Sequence, residues 1–275
     1  MSIAAGTEKY NAPALSKGLD IIELLATQTN GLKKNEIAQA LDRSISEIYR
    51  MMAVLVARGY VLFDDEAERY SLSMRLFELS HRHPPTRRLT AVAGQIMERL
   101  ANALNQSVHL AIPYASEILV IAQIDSPGNN VTVVRLGAQV PMVLTSSGAS
   151  LLCQKSKDER HKICAASDAF TPEAMTAFEE AVAQVITTGI CENPSAVIRG
   201  VLNLSVPIFD HTGAVEAALT IPHVQRIHAD QDPDVVECKR LLIEAGQKIS
   251  RLIGAGAADV TNAKPALVSV NTSVP

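Results

Sequence analysis

Between residues 15 and 72, apolar positions recur first at helical spacing and then in two short alternating runs. Leu15, Leu19, Ile22 and Leu25 step by three and four. They predict a first helix opened near Ser16 and finished by residues 28–31. Residues 34–41 predict a short second helix through Ile37, Ala38 and Leu41, and residues 44–58 a third, with only Asp42 and Arg43 between them. In the third, Ile45, Ile48, Met52 and Leu55 make one seam expected to be buried. Gly59 stops that helix. Residues 60–63 and 69–72 then predict two strands around an acidic turn at 64–68. Helix, turn, helix and strand hairpin is the layout of a winged helix-turn-helix, which places one helix in the major groove of DNA.

At about 100° per residue, Ser46, Arg50 and Ala53 fall opposite the apolar seam, with Glu47 and Tyr49 on the flanks. Small polar residues permit close approach to a groove, and an arginine can take guanine bidentately or hold a phosphate. The candidate DNA-contacting residues are therefore Ser44, Ser46, Glu47, Tyr49 and Arg50, with Arg69 from the wing. The acidic wing tip is wrong for phosphate, so little affinity is expected from it beyond Arg69. The same unit used only for protein contacts is the alternative.

Residues 75–79 predict another short helix. Pro84 and Pro85 argue against a continuous helix through residues 80–88, which places a linker at 81–89 between a unit at 12–80 and one at 90–254. Arg82, Arg87 and Arg88 are candidate backbone contacts. His81 and His83 lack the further ligands a metal site needs. Beyond the linker, a helix at 90–104 connects the two units. Strands are expected at 108–112, 118–124 and 131–136, and helices at 147–154, 158–166 and 172–188, the last capped by Thr171. A strand pair follows at 201–209 and 215–221, and then a closing helix at 235–253. Residues 255–275, rich in Ala, Thr and Asn, are expected to be a disordered tail. Paired strands with helices between the groups predict an α+β domain around an antiparallel sheet.

Composition narrows the function. A net charge of −4 argues against a general nucleic-acid coat but not against site-specific binding, because distribution outweighs the sum. Residues 1–88 carry 12 Lys and Arg against 11 Asp and Glu. A unit so weakly basic needs a second copy to bind DNA well. Cys153, Cys164, Cys191 and Cys238 are far apart and without CxxC, which fits reduced core thiols and no metal. No apolar run approaches the ~20 residues of a membrane span. Residues 1–11 lack a signal pattern, so the chain reads as cytoplasmic. Hydrolase, zincin, P-loop and dinucleotide motifs are absent, and His109, His161, His223 and His228 have no acid at a recognisable spacing. The Thr145-Ser146-Ser147-Gly148 stretch could seat an anion at a helix start or be a plain N-cap.

The ordered stretches together resemble bacterial regulators of the IclR type. The stretches that carry the likeness are residues 15–25, Asn35-Glu36-Ile37-Ala38, residues 48–52, Gly59-Tyr60-Val61 and residues 69–72. In the second unit they are Leu136-Gly137 through Gly148-Ala149, Gly189-Ile190, residues 200–210, Gly213 and Ala217-Ala218-Leu219. The resemblance implies a winged-helix reader followed by a GAF-like effector domain; with the catalytic motifs absent, no cofactor and no catalysis are expected. It implies a double-stranded operator, a small-molecule effector, dimers through the N-terminal region and tetramers through the effector domains. It matches the recognition arginine to Arg50 and the effector pocket to Gly148, Ala149, Asn193, Val201, Asn203 and Thr220. Ala149 stands where the family often has Lys, Asn193 where an acid is common, and Pro222 where a small hydroxyl residue is frequent. A Glu-containing turn is usual before Gly200, and here residues 195–199 are apolar with one arginine. These departures point away from small keto acids towards a more apolar or larger effector such as an aromatic acid, its carboxylate paired by Arg199 or Arg135 unless those arginines are surface residues. Glu47, in place of a frequent Thr, could accept from cytosine N4. An enzyme with an appended winged helix and a ligand-independent assembly protein are the rival classes.

Overall fold

The computed structural model describes residues 12–82, 84–128, 134–196, 198–226 and 232–256, without the side chains of 80–87. The chain divides between Pro84 and Pro85 into two compact units.

The first unit contains α1 (Pro13–Ala26), α2 (Lys34–Ala40), α3 (Ile45–Ala57), β1 (Val61–Asp64), β2 (Arg69–Leu72) and α4 (Arg75–Arg82). Its core is Ile21, Leu25, Ile37, Ala38, Ile48, Met52 and Val61. The predicted seams are corrected at their N-terminal ends. Leu15 and Leu19 are 64% and 48% exposed and Ile45 is 52% exposed, because these helices meet the small core only from Ile21 and Ile48 onward. Helix α1 opens with Pro13 at its first turn rather than at Ser16, since proline's missing N–H is no loss there. Strands β1 and β2 pair antiparallel, with Phe63 stacked on its cross-strand partner Tyr70 at 4.5 Å. Leu32 adds a bridge to Tyr70. Gly31 is required there: φ is +64°, and a Cβ would lie 2.5 Å from the Tyr70 carbonyl oxygen.

The second unit contains α5 (Pro84–Leu104), β3 (Val108–Tyr114), β4 (Glu117–Ile124), β5 (Gln139–Pro141), a 3-10 turn (Met142–Leu144), α6 (Ser146–Leu151), α7 (Lys157–Cys164), α8 (Pro172–Thr188), β6 (Cys191–Pro194), β7 (Val201–Phe209), β8 (Val215–Val224) and α9 (Val235–Ile253). The antiparallel sheet runs β5-β4-β3-β8-β7-β6. Leu204, Val206, Ile208, Leu219 and Ile221 share one core with α5 and α9, including Met97, Leu104, Leu242 and Ile249. Ala111, Ile118, Cys191 and Ala218 share the other with Ala149, Phe178 and Val182. The period of two along the strands thus feeds two cores, giving the α+β class predicted.

Two expectations change. Helix runs through most of the predicted linker: α4 reaches Arg82 and α5 starts at Pro84, because two prolines are tolerated in the first turn of a helix. The strand expected at 131–136 lies mostly outside the described residues. Its described end is not strand, and pairing with β4 falls instead on Gln139–Pro141.

Candidate functional site

Helix α3 is built to present one face. Ser44 caps it: its Oγ accepts from the Glu47 N–H at 3.4 Å and donates to Glu47 Oε2 at 2.8 Å, and the Ser44 N–H donates to the same oxygen at 3.1 Å. The other Glu47 oxygen accepts from Lys17 Nζ of α1 at 2.5 Å. Hydrogen bonds from Lys17 and then Ser44 hold the Glu47 carboxyl down at about 2. Glu47 is therefore paired within the unit, fastening the start of α3 to α1, with its carboxylate oxygens already hydrogen-bonded to Lys17 and Ser44. Arg69 is committed as well. It donates to the Gly31 carbonyl at 2.8 Å and lies 3.4 Å from Glu36, fastening the wing to the loop before α2. Ser44, Ser46 and Arg50 stay exposed, and Tyr49 is 57% exposed. Lys34, which the sequence pattern did not single out, sits with its Nζ 5.2 Å from the centre of the Tyr49 ring.

In the second unit, Val201, Asn203 and Ser205 of β7 and Thr220 of β8 alternate away from the α5/α9 core. Cross-strand pairing aligns Cys191, Ser205, Thr220 and His109 in one row, and Asn193, Asn203 and Pro222 in the next. Helix α6 lies over the first row. Ser147 Oγ is 2.9 Å from Thr220 Oγ1 and 3.4 Å from His109 Nε2; Ser150 donates to Ser205 at 3.0 Å and Thr220 donates to Ser205 at 2.8 Å. Burial pushes the His109 imidazole down to about 4, so it is neutral. Among the described residues its buried Nδ1 has no hydrogen-bond partner.

Ser146 borders a cavity of about 500 Å³ at the β6 edge, lined also by Leu144, Thr145, Phe178, Glu180, Gln184 and Asn193. Of the six predicted effector residues, only Asn193 lines it. Thr220 is spent in the hydroxyl row, and Val201 and Asn203 stand along the same face of the sheet. The start of α6 follows the plain N-cap reading. The Gly148 N–H donates to Thr145 Oγ1 at 2.9 Å and the Ala149 N–H to the Thr145 carbonyl at 3.2 Å. Gly148 is glycine because a Cβ would lie 2.3 Å from the Met142 carbonyl oxygen. Ala149 is fully buried in the core. Arg135 and Arg199 are exposed and neither lines this cavity. Phe178 and Gln184 went unnoticed in the sequence because an amphipathic helix gives no sign of which of its residues border a void. Burial raises all four thiols, Cys153, Cys164, Cys191 and Cys238, to about 11. Among the described residues no cluster could hold a metal ion, and no helix is long and apolar enough to cross a membrane.

A helix-turn-helix unit followed by an α+β unit with a cavity on its sheet defines a helix-turn-helix regulator with an effector domain. The chain belongs to the IclR family: the family model "Bacterial transcriptional regulator IclR C-terminal" matches residues 85–251, and "IclR helix-turn-helix domain" matches 14–65. Among curated relatives, the HTH-type transcriptional regulator KdgR of Escherichia coli is 29% identical over 224 residues, 80% of this chain and 84% of that one. The fold matches the Thermotoga maritima IclR at a TM-score of 0.70 and 24% identity, covering 87% of this chain and 98% of that one. It also matches an IclR homologue from Microbacterium hydrocarbonoxydans complexed with 4-hydroxybenzoate, at 0.73 and 22%, with the same coverage.

Proposed function

We propose that this chain is an operator-binding regulator controlled by a small organic acid, preferably aromatic. The observation that carries the reading is α3: one side packs Ile48 and Met52 into the core while Ser46, Tyr49 and Arg50 face outward, and capping fixes the register of that face. Ser44, Ser46, Tyr49 and Arg50 contact the DNA, and Glu47 and Arg69 position the helix and wing. Exposed Leu15 and Leu19 on α1 support a dimer in which a second copy covers them and presents two recognition helices to half-sites about 34–36 Å apart. The effector occupies the cavity beside Phe178, with Asn193 as a polar partner. The 4-hydroxybenzoate held by the Microbacterium homologue supports the aromatic class. An effector that binds one arrangement of the dimer more tightly than another shifts operator affinity. Against the rival hydrolase reading, His109 Nδ1 has no hydrogen-bond partner among the described residues, where a Ser–His nucleophile would have a carboxylate to orient the ring.

The test is selection of duplexes from a randomised pool by the pure full chain, followed by titration of organic acids. A selected palindrome-like site whose affinity changes with an acid that also raises the melting temperature supports the reading. Failure to enrich any sequence refutes it.

A further inference from the structure

The first unit contains eight described Lys and Arg side chains, and their fates differ. Five face carboxylates: Lys17 with Glu47, Lys33 with Glu68, Arg43 with Asp20, Arg69 with Glu36 and Arg75 with Glu78. Lys34, Arg50 and Arg58 are the three in no such pair among the described residues. Tyr49 of α3, the exposed residue before Arg50, holds the ammonium of Lys34 from α2 5.2 Å from its ring centre. A cation already paired to a carboxylate must give up that partner before it can neutralise a phosphate. A cation over an aromatic face keeps its charge available and its position fixed.

We infer that Lys34, seated on Tyr49, is a phosphate-contacting residue of the DNA complex, and that Lys34 contributes to its electrostatics beside Arg50 while Arg69 is a scaffold cation. The inference rests on the proposed DNA reading. The order of ion pairing overrides the order of charge along the sequence. Arg69 on the wing looks more available in one dimension, yet it is bonded to Gly31 and Glu36. Lys34 lies next to Lys33 in sequence, but of the two only Lys33 is paired with an acid among the described residues.

The experiment measures fluorescence anisotropy of a labelled duplex selected by the parent protein, and of a scrambled duplex, across a range of salt concentrations. The full-length parent, Lys34→Gln, Tyr49→Leu and Arg69→Gln are compared. Lys34→Gln is expected to flatten the log–log salt slope by about 0.9 per protomer. It should weaken both duplexes by the same factor, with an unchanged melting temperature. Tyr49→Leu should weaken binding while leaving the slope close to the parent's, because the ammonium remains. Arg69→Gln should keep the slope and lower the melting temperature. An unchanged slope for Lys34→Gln overturns the inference, as does a loss confined to the selected duplex, which would make Lys34 a base reader. Arg69→Gln flattening the slope as much as Lys34→Gln also overturns it. In each of these cases DNA binding by the parent, and with it the proposed function, still stands. A parent that binds neither duplex at low salt overturns both.

Discussion

Acid should destabilise the effector unit chiefly through His109. The imidazole is 4% exposed, and burial holds it at about 4 in the folded chain; unfolded, it returns to about 6.5. Between those values the unfolded chain binds a proton that the native chain refuses. Stability is therefore complete above about pH 6.5 and falls as the pH drops towards 4. Two and a half units at 1.36 kcal/mol each give a ceiling of about 3 kcal/mol, of which about 2 kcal/mol is lost by pH 5. His223 is depressed by burial and then by Arg226, so it adds a smaller effect of the same sign. Asp232, held down by hydrogen bonds from Asn105 and Arg226, releases its contribution only at lower pH. Urea unfolding at pH 7, 6 and 5 for the parent and His109→Gln measures the difference, and the variant should have a flatter profile. NMR titration of the parent's imidazoles checks the same point without a substitution. A His109 signal titrating near 6.5, or a variant as acid-sensitive as the parent, would refute the reasoning.

Gly148→Ala should cost more than about 2 kcal/mol, because its Cβ meets backbone of the Met142 turn rather than a side chain that can move; a melt within a degree or two of the parent's would contradict this. Arg50→Ala should weaken binding to a selected operator by about 1–3 kcal/mol and relax preference at one base position, read by competition with single-base variants. With all four thiols raised to about 11 by burial, iodoacetamide at pH 7.5 should label the native chain slowly and the urea-unfolded chain fast; rapid labelling of the native chain at any of the four would count against that burial.

Much of the fold was legible because it rests on short-range rules. Thr171 before Pro172, Asp234 before Val235 and Ser44 with Glu47 mark helix starts through hydrogen bonds made within three residues. The strands of β7 and β8 declare themselves by apolar runs separated by a turn in which Asp210 accepts from the N–H groups of Thr212 and Ala214. Strand β6 was missed. Its Glu192, Asn193 and Pro194 have little preference for extended structure, and only pairing with β7 makes them a strand.

The sequence by itself determined the order of the helices and of the central strands, the helix-turn-helix, the face of α3 that carries Arg50 and the family. Each follows from periodicity, capping or motif order, which are local or cumulative along the chain. The tertiary structure decided which charges are paired among the described residues and which residues line the cavity beside Phe178. Glu47 and Arg69 were spent by partners 30 and 38 residues away, Lys17 and Gly31. Gly148 was claimed by the backbone of Met142, and Ser146, Phe178 and Asn193 were gathered around one space from three separate elements. Whether a polar group can serve a ligand depends on what its neighbours in space have already taken, and spacing along the chain does not encode that.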